Sequence, residues 1–244
     1  MPDKNNKTVT DLSLSPYRGE LSPEDVAKGM ECVIDNAKRL ANDARILFDA
    51  GRYPSSCALA ILSIEEIGKL SILRRIALGG DDDSIKAIWR EFSSHTDKNF
   101  MWMFLTMALS GARKLADFRK LFNRSNAKLL NNIKSMSLYS GCYGRKHWSN
   151  PHEVVDKELA IFLLKTAELL STSNKRCPSV REVQLWIEYM QPVWNTDYES
   201  QTNALAKWHQ ALTEEGLAED GKYKMDDFVK NGVVTPFGKD LSEF

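Results

Sequence analysis

The chain has 244 residues, 43% of them hydrophobic and 27% charged, ordinary values for a globular protein and incompatible with wholesale disorder. Lys plus Arg equals Asp plus Glu at 33 each, so the formal net charge is zero, which excludes a uniformly basic nucleic-acid coat but not a local basic groove. No apolar run approaches the ~18 residues of a transmembrane helix, residues 1–16 are polar and lack a signal core, and the four cysteines (Cys32, Cys57, Cys142, Cys177) form no CxxC pair. A cytoplasmic protein with reduced thiols, no membrane span and no bound metal is expected.

Residues 1–22 carry no helical period and read as a flexible N-terminal arm. Ser22-Pro23-Glu24-Asp25 then combines a helix cap, proline at the first position and acids in the first turn. Val26, Met30, Val33, Ala37, Leu40, Ala44 and Leu47 follow at steps of four and three, an apolar heptad seam that predicts a helix ending at Ala50-Gly51. The short link to Pro54 makes the next helix, Ser55 to about Leu78, its antiparallel neighbour. That helix is apolar on nearly every face, as expected at the centre of a bundle.

Gly79-Gly80-Asp81-Asp82-Asp83 breaks it and caps a third helix near Ser84. An apolar stretch (100–109) and a basic amphipathic stretch (112–133) come next, followed by a Gly/Ser/Tyr-rich loop from Ser137 to Asn150. Pro151 opens another helix. After a linker around Ser173–Pro178, two tryptophan-rich helices are predicted, Val180 to Met190 and Ser200 to Leu212. No strand-type alternation of useful length is present. The fold class is all-α: a helical bundle over 23–173 with a helical C-terminal extension over 174–244.

Three groups of residues can carry chemistry. Ser63, Glu65, Glu66 and Lys69 interrupt the apolar central helix, and Glu65 and Lys69 lie four apart, on one face. They are either a solvent-facing stripe or polar groups turned into the bundle to support a site. His95 and Lys98 stand three apart with Trp102 beyond, and Arg90 precedes His95 with four residues between. A histidine beside cations can orient or protonate a phosphate oxygen, or it is a surface residue. The third group, Lys134, Tyr139, Tyr143, Arg145, Lys146, His147 and Trp148, mixes bases with aromatic rings, a composition suited to phosphates and nucleobases and also to an ordinary exposed loop. His147 and His152 have no nearby third ligand for zinc. The basic run Arg113, Lys114, Arg119, Lys120, Arg124, Lys128 and Lys134 is an RNA footprint or a solvated helix face.

The segments Asn36–Leu40, Gly51–Tyr53 and Ala58–Lys69, followed by His95 with Lys98 and by Lys134, Leu138-Tyr139, Trp148 and Pro151, resemble the pattern of AbiV abortive-infection proteins over roughly residues 25–172. That family belongs to the HEPN group of helical proteins, many of which are metal-independent endoribonucleases that act as homodimers. The resemblance implies a HEPN-like bundle and phage defence by arrest of growth or translation. HEPN active sites pair an arginine with a histidine, four to six residues lying between them, brought together across a dimer. Arg90 and His95 have that spacing, while the usual place for the motif, on a later helix, holds Lys134 and Tyr139.

The implied protein is an RNA-cleaving effector with His95, Lys98, Lys134 and Tyr139 as catalytic residues. Glu65, Lys69 and Arg90 support them, Arg145, Lys146 and His147 bind RNA, and no cofactor or metal is required. The implied partners are RNA, a second copy of the chain, and a phage-encoded activator or host regulator. The alternative is a non-catalytic helical module that binds a phage or host protein. Residues 179–215 of the aromatic extension are expected to form helices docked on the bundle or on a partner subunit, and docking near the Ser137–Asn150 loop would let them restrict access to the site.

Overall fold

The computed structural model describes residues 15–94, 124–143, 146–173 and 177–218. The first helix, α1 (Pro23–Asp49), starts where its sequence demands: Ser22 Oγ accepts the Asp25 N–H at 3.1 Å, and Asp25 reaches back to the Ser22 N–H, a complete capping box. It ends at Ala50 because Gly51 takes the left-handed conformation, φ 71°, and lets the Arg52 N–H close on the Leu47 carbonyl at 2.8 Å.

The chain re-enters at once as α2 (Tyr53–Ala77), antiparallel to α1. Two buried serines fix the register, Ser56 Oγ donating to the Ala44 carbonyl and Ser63 Oγ to the Ala37 carbonyl, both at 2.8 Å. Each serine sits seven residues from the other and faces an alanine seven residues from its counterpart, so the helix backbones approach closely at both levels. Gly79 and Gly80 (φ 70° and 153°) then turn the chain into α3 (Asp82–Ser93), capped by Asp81.

After α3 the described chain resumes with α4 (Arg124–Leu138), a two-stranded antiparallel hairpin of β1 (Gly141–Tyr143) and β2 (His147–Ser149), the single turn α5 (Pro151–Val154) and α6 (Lys157–Ser173). Two further helices follow, α7 (Val180–Met190) and α8 (Tyr198–Glu214), joined through a 3-10 turn at Gln191–Val193. The fold is an all-α bundle, with strands of three residues as its only sheet among the described residues. Those strands fall inside the segment read as a loop, and they are too short to show an alternating pattern.

The α1–α2 hairpin carries an apolar core at each end. Its Gly51 end packs on α4 and α6 through Ala41, Ala44, Ile61, Ile64, Leu130 and Leu163. Its other end packs on α3, α7 and α8 through Met30, Ile34, Leu73, Trp186 and Trp208. Arg45 clamps α1 to α6 by two hydrogen bonds to Glu168, 2.8 and 2.7 Å, and Arg75 clamps α2 to α3 through Glu91.

The C-terminal helices therefore dock, as their aromatic content demands, but not where expected. They share a core with α3 and the far end of the hairpin, whereas Ser137–Asn150 adjoins the opposite core. Among the described residues, the apolar faces of α7 and α8 cover a part of α1 and α2 that lies outside the core shared with α4 and α6. Among the described residues, no helix is long and apolar enough to cross a membrane.

Candidate functional site

The polar anomaly of the central helix resolves into two ion pairs. Glu65 is buried, and its carboxylate accepts from Lys134 Nζ on α4 at 2.6 Å, with side chains 3% and 9% exposed. Lys69 turns to Glu66, three residues back, and its ammonium also lies 5.1 Å from the Phe92 ring centre at the end of α3. Glu65 and Lys69, four apart on one face, could pair with each other or turn to the helix before His95; Lys69 reaches that helix, while Glu65 pairs with α4, sixty-nine residues on. The helix spacing permitted either partner; burial selected the lysine that crosses the core, because an isolated charge there is costly.

This pairing fixes α4 from within. Ser137, one turn after Lys134, is also buried and donates to the Ile133 carbonyl, with the Cys57 thiol of α2 3.4 Å away. Burial pushes the Cys57 thiol up to about 11, against the hydrogen bond to Ser137, which pulls the other way. Immediately beyond this anchored turn, Tyr139 is 68% exposed.

The hairpin continues the exposed surface. Cys142 faces Trp148 and Tyr143 faces His147 across it. Lys146 and His147 are exposed, and the Trp148 indole is 72% exposed. Lys146 is the one non-glycine residue with positive φ (63°) among those described, a conformation that costs an L-residue roughly 1 kcal/mol. A strained lysine, a histidine and two uncovered aromatic rings thus stand at the end of a helix whose interior is locked.

Arg90 is exposed on α3, and its Nε donates to the Lys86 carbonyl at 3.4 Å. His95, Lys98 and Arg145 lie outside the described residues, as do 100–109 and most of the basic run. The structure therefore joins Glu65 with Lys134, places Lys69 beside α3, and brings Tyr139, Lys146 and His147 to one surface segment. Lys134 is an interior residue, not a surface cation. Sequence reasoning named Glu66 among the polar residues of the central helix but gave it no partner, although its spacing of three from Lys69 was a usable signal, and it grouped Trp148 with the loop's aromatic rings without counting it among the site residues. Among the described residues, no group of three His, Cys, Asp or Glu side chains is placed to hold a metal ion.

The AbiV family model matches residues 25–172, more than half of the chain, from the first turn of α1 to the last turn of α6. No curated protein and no solved structure matches.

Proposed function

The chain belongs to the AbiV family of HEPN proteins, and on that premise we propose that it is an abortive-infection effector that cleaves RNA and so halts translation or growth in an infected bacterium. What supports RNA as the substrate is the way α4 ends: the buried Glu65–Lys134 pair holds a helix that delivers Tyr139 and then Lys146, His147 and Trp148 to solvent. Cations suit phosphate oxygens, and exposed rings suit unstacked bases.

RNA carries its own nucleophile. In the proposed reaction the 2′-oxygen attacks the adjacent phosphorus, the bond to the 5′-oxygen breaks, and a 2′,3′-cyclic phosphate and a 5′-hydroxyl result. His95, which directly follows the last described residue of the α3 segment, moves the proton. Lys98 and Arg90 stabilise the charge developing on phosphate, and Tyr139 positions it. Lys134 and Glu65 act through α4 as positioning residues, and Lys69 acts through its contact with α3.

The direct test is incubation of the purified chain with total RNA in EDTA. Cleavage that survives chelation, yields cyclic phosphate ends and falls about 100-fold or more in His95→Ala supports the enzyme. Equal cleavage by His95→Ala, or none by the wild type, overturns it. The working unit is a homodimer, so light scattering should give twice the 27.7 kDa chain mass. A mass of one chain at micromolar concentration excludes that assembly.

One observation favours a second reading. Leu138, Tyr139 and Trp148 are large apolar groups left exposed near one another in sequence, the composition of a protein-binding surface. On that reading the bundle captures a phage or host protein without catalysis, and Trp148→Ala abolishes protection in cells while RNA stays intact in both forms.

A further inference from the structure

The other end of the molecule holds a pocket that the RNA reaction does not use. It lies between α1, α2, α7 and α8, has a volume of about 170 Å³, and is walled by Met30, Ala77, Val183 and Leu212 together with the indoles of Trp186 and Trp208. An apolar cavity of roughly 150 Å³ is enough to hold a benzene ring.

Two donors on residues lining this pocket have no protein acceptor among the described residues: the half-buried Arg74, whose guanidinium reaches solvent, and Trp208 Nε1, which does not. The first is Arg74. Its guanidinium carbon lies 5.7 Å from the Trp186 ring centre and 5.6 Å from that of Trp208, a cation held between two aromatic rings. Among the described residues, no carboxylate forms a salt bridge with it and no acceptor takes a hydrogen bond from its side chain. Three other arginines among the described residues have such a partner: Arg45 has Glu168, Arg75 has Glu91, and Arg181 has Glu215. Burial lowers the Arg74 pKa, against the opposing pull of Glu182. Glu182 also lines the pocket, but one of its oxygens is tied to the Ser179 N–H at 2.6 Å in the cap of α7.

The second donor is Trp208 Nε1. Trp208 is 9% exposed, and its indole nitrogen is sealed from solvent with no hydrogen-bond partner. Leaving a buried donor unmade costs about 1–3 kcal/mol. The neighbouring Trp186 shows the contrast, donating its own Nε1–H to the Arg74 carbonyl at 2.9 Å.

We propose that this pocket binds a small organic carboxylate with an apolar, ring-sized body. The ring occupies the space between the indoles and the aliphatic wall. The carboxylate takes a charge-assisted pair of hydrogen bonds from Arg74, and one oxygen meets the Trp208 N–H after a tilt of that ring. The ligand supplies the acceptors that both donors lack. Because the pocket is built from α1, α2 and the two C-terminal helices, its occupancy also ties those helices to the bundle.

The test needs no RNA, so it is independent of the ribonuclease reading. The full-length protein is titrated with benzoate and phenylacetate, and in parallel with benzyl alcohol as the neutral analogue, by calorimetry and tryptophan fluorescence. The expected result is saturable binding of a carboxylate, about tenfold or more tighter than the alcohol, with a change in indole emission. Arg74→Gln should remove the preference for carboxylate. Replacing Trp208 with benzothienylalanine keeps a bicyclic ring of the same shape, exchanges only the N–H for sulfur, and should weaken carboxylate binding severalfold while leaving the alcohol unaffected. Equal affinity for the acids and the alcohol, unchanged carboxylate affinity when benzothienylalanine replaces Trp208, or no heat at millimolar ligand overturns the proposal.

Discussion

A lysine with a side chain only 9% exposed needs a carboxylate, and Lys134 has Glu65 at 2.6 Å. Such a pair contributes little compared with apolar packing, because both ions lose their water, yet removing one partner leaves the other charge stranded. Lys134→Met is therefore expected to destabilise the protein by about 3–5 kcal/mol, the range for a buried pair broken on one side. Adding Glu65→Leu to Lys134→Met should recover most of that loss. Urea unfolding midpoints of the single and double variants check this, and additive losses in the double variant would show that the pair is not coupled. The presence of this feature was legible in the sequence, since a carboxylate on a helix apolar all round has no solvent face to occupy. Its partner was not. Lys69 and Lys134 satisfy the charge equally well, and only the packing of α4 on α2 decides between them.

At the scale of elements, what could be read was what is encoded locally. Ser22-Pro23-Glu24-Asp25 contains every part of the α1 cap, and Gly51 alone supplies the left-handed close. The Val180–Met190 helix was legible to the residue for the same reason: Ser179 and Glu182 form its capping box, and apolar residues recur at helical spacing behind it. The antiparallel placing of α2 followed from a link too short for any other path. What escaped were features set by distant contacts. The hairpin strands are three residues each, and their pairing depends on a turn at Lys146 in a conformation lysine rarely takes. The docking face of α7 and α8 depends on which part of α1 and α2 lies outside the core shared with α4 and α6. The candidate site divides along the same line. Tyr139, Lys146 and His147 follow one another closely enough for their common surface to be read from the sequence, whereas the support from Glu65 joins residues sixty-nine apart.

For the whole molecule, the decisive question is whether α7 and α8 restrain the bundle or complete it. Val183, Leu185, Trp186, Met190, Trp208 and Leu212 are buried in one core with Met30, Ile34, Leu73 and Ile76. Two indoles that bury ~150–250 Å² each, at ~25 cal/mol per Å², represent on the order of 8–12 kcal/mol of gross apolar stabilisation. That is comparable with the ~5–15 kcal/mol net stability of a typical domain. Hydrogen bonds crossing the same junction reinforce it, from Trp186 to the Arg74 carbonyl and from Gln191 to the Leu78 carbonyl. A chain cut before Cys177 would expose the ends of α1 and α2 to water. The expected outcome of deleting residues from 177 onward is an insoluble or unfolded protein with no effect on cell growth, not a more toxic one. Soluble yield, a thermal melt and growth curves of cells expressing the truncated and full chains check this together. A soluble, helical and more toxic fragment would show instead that the C-terminal helices act as a brake, because a bundle that stands without them does not need their indoles for its core.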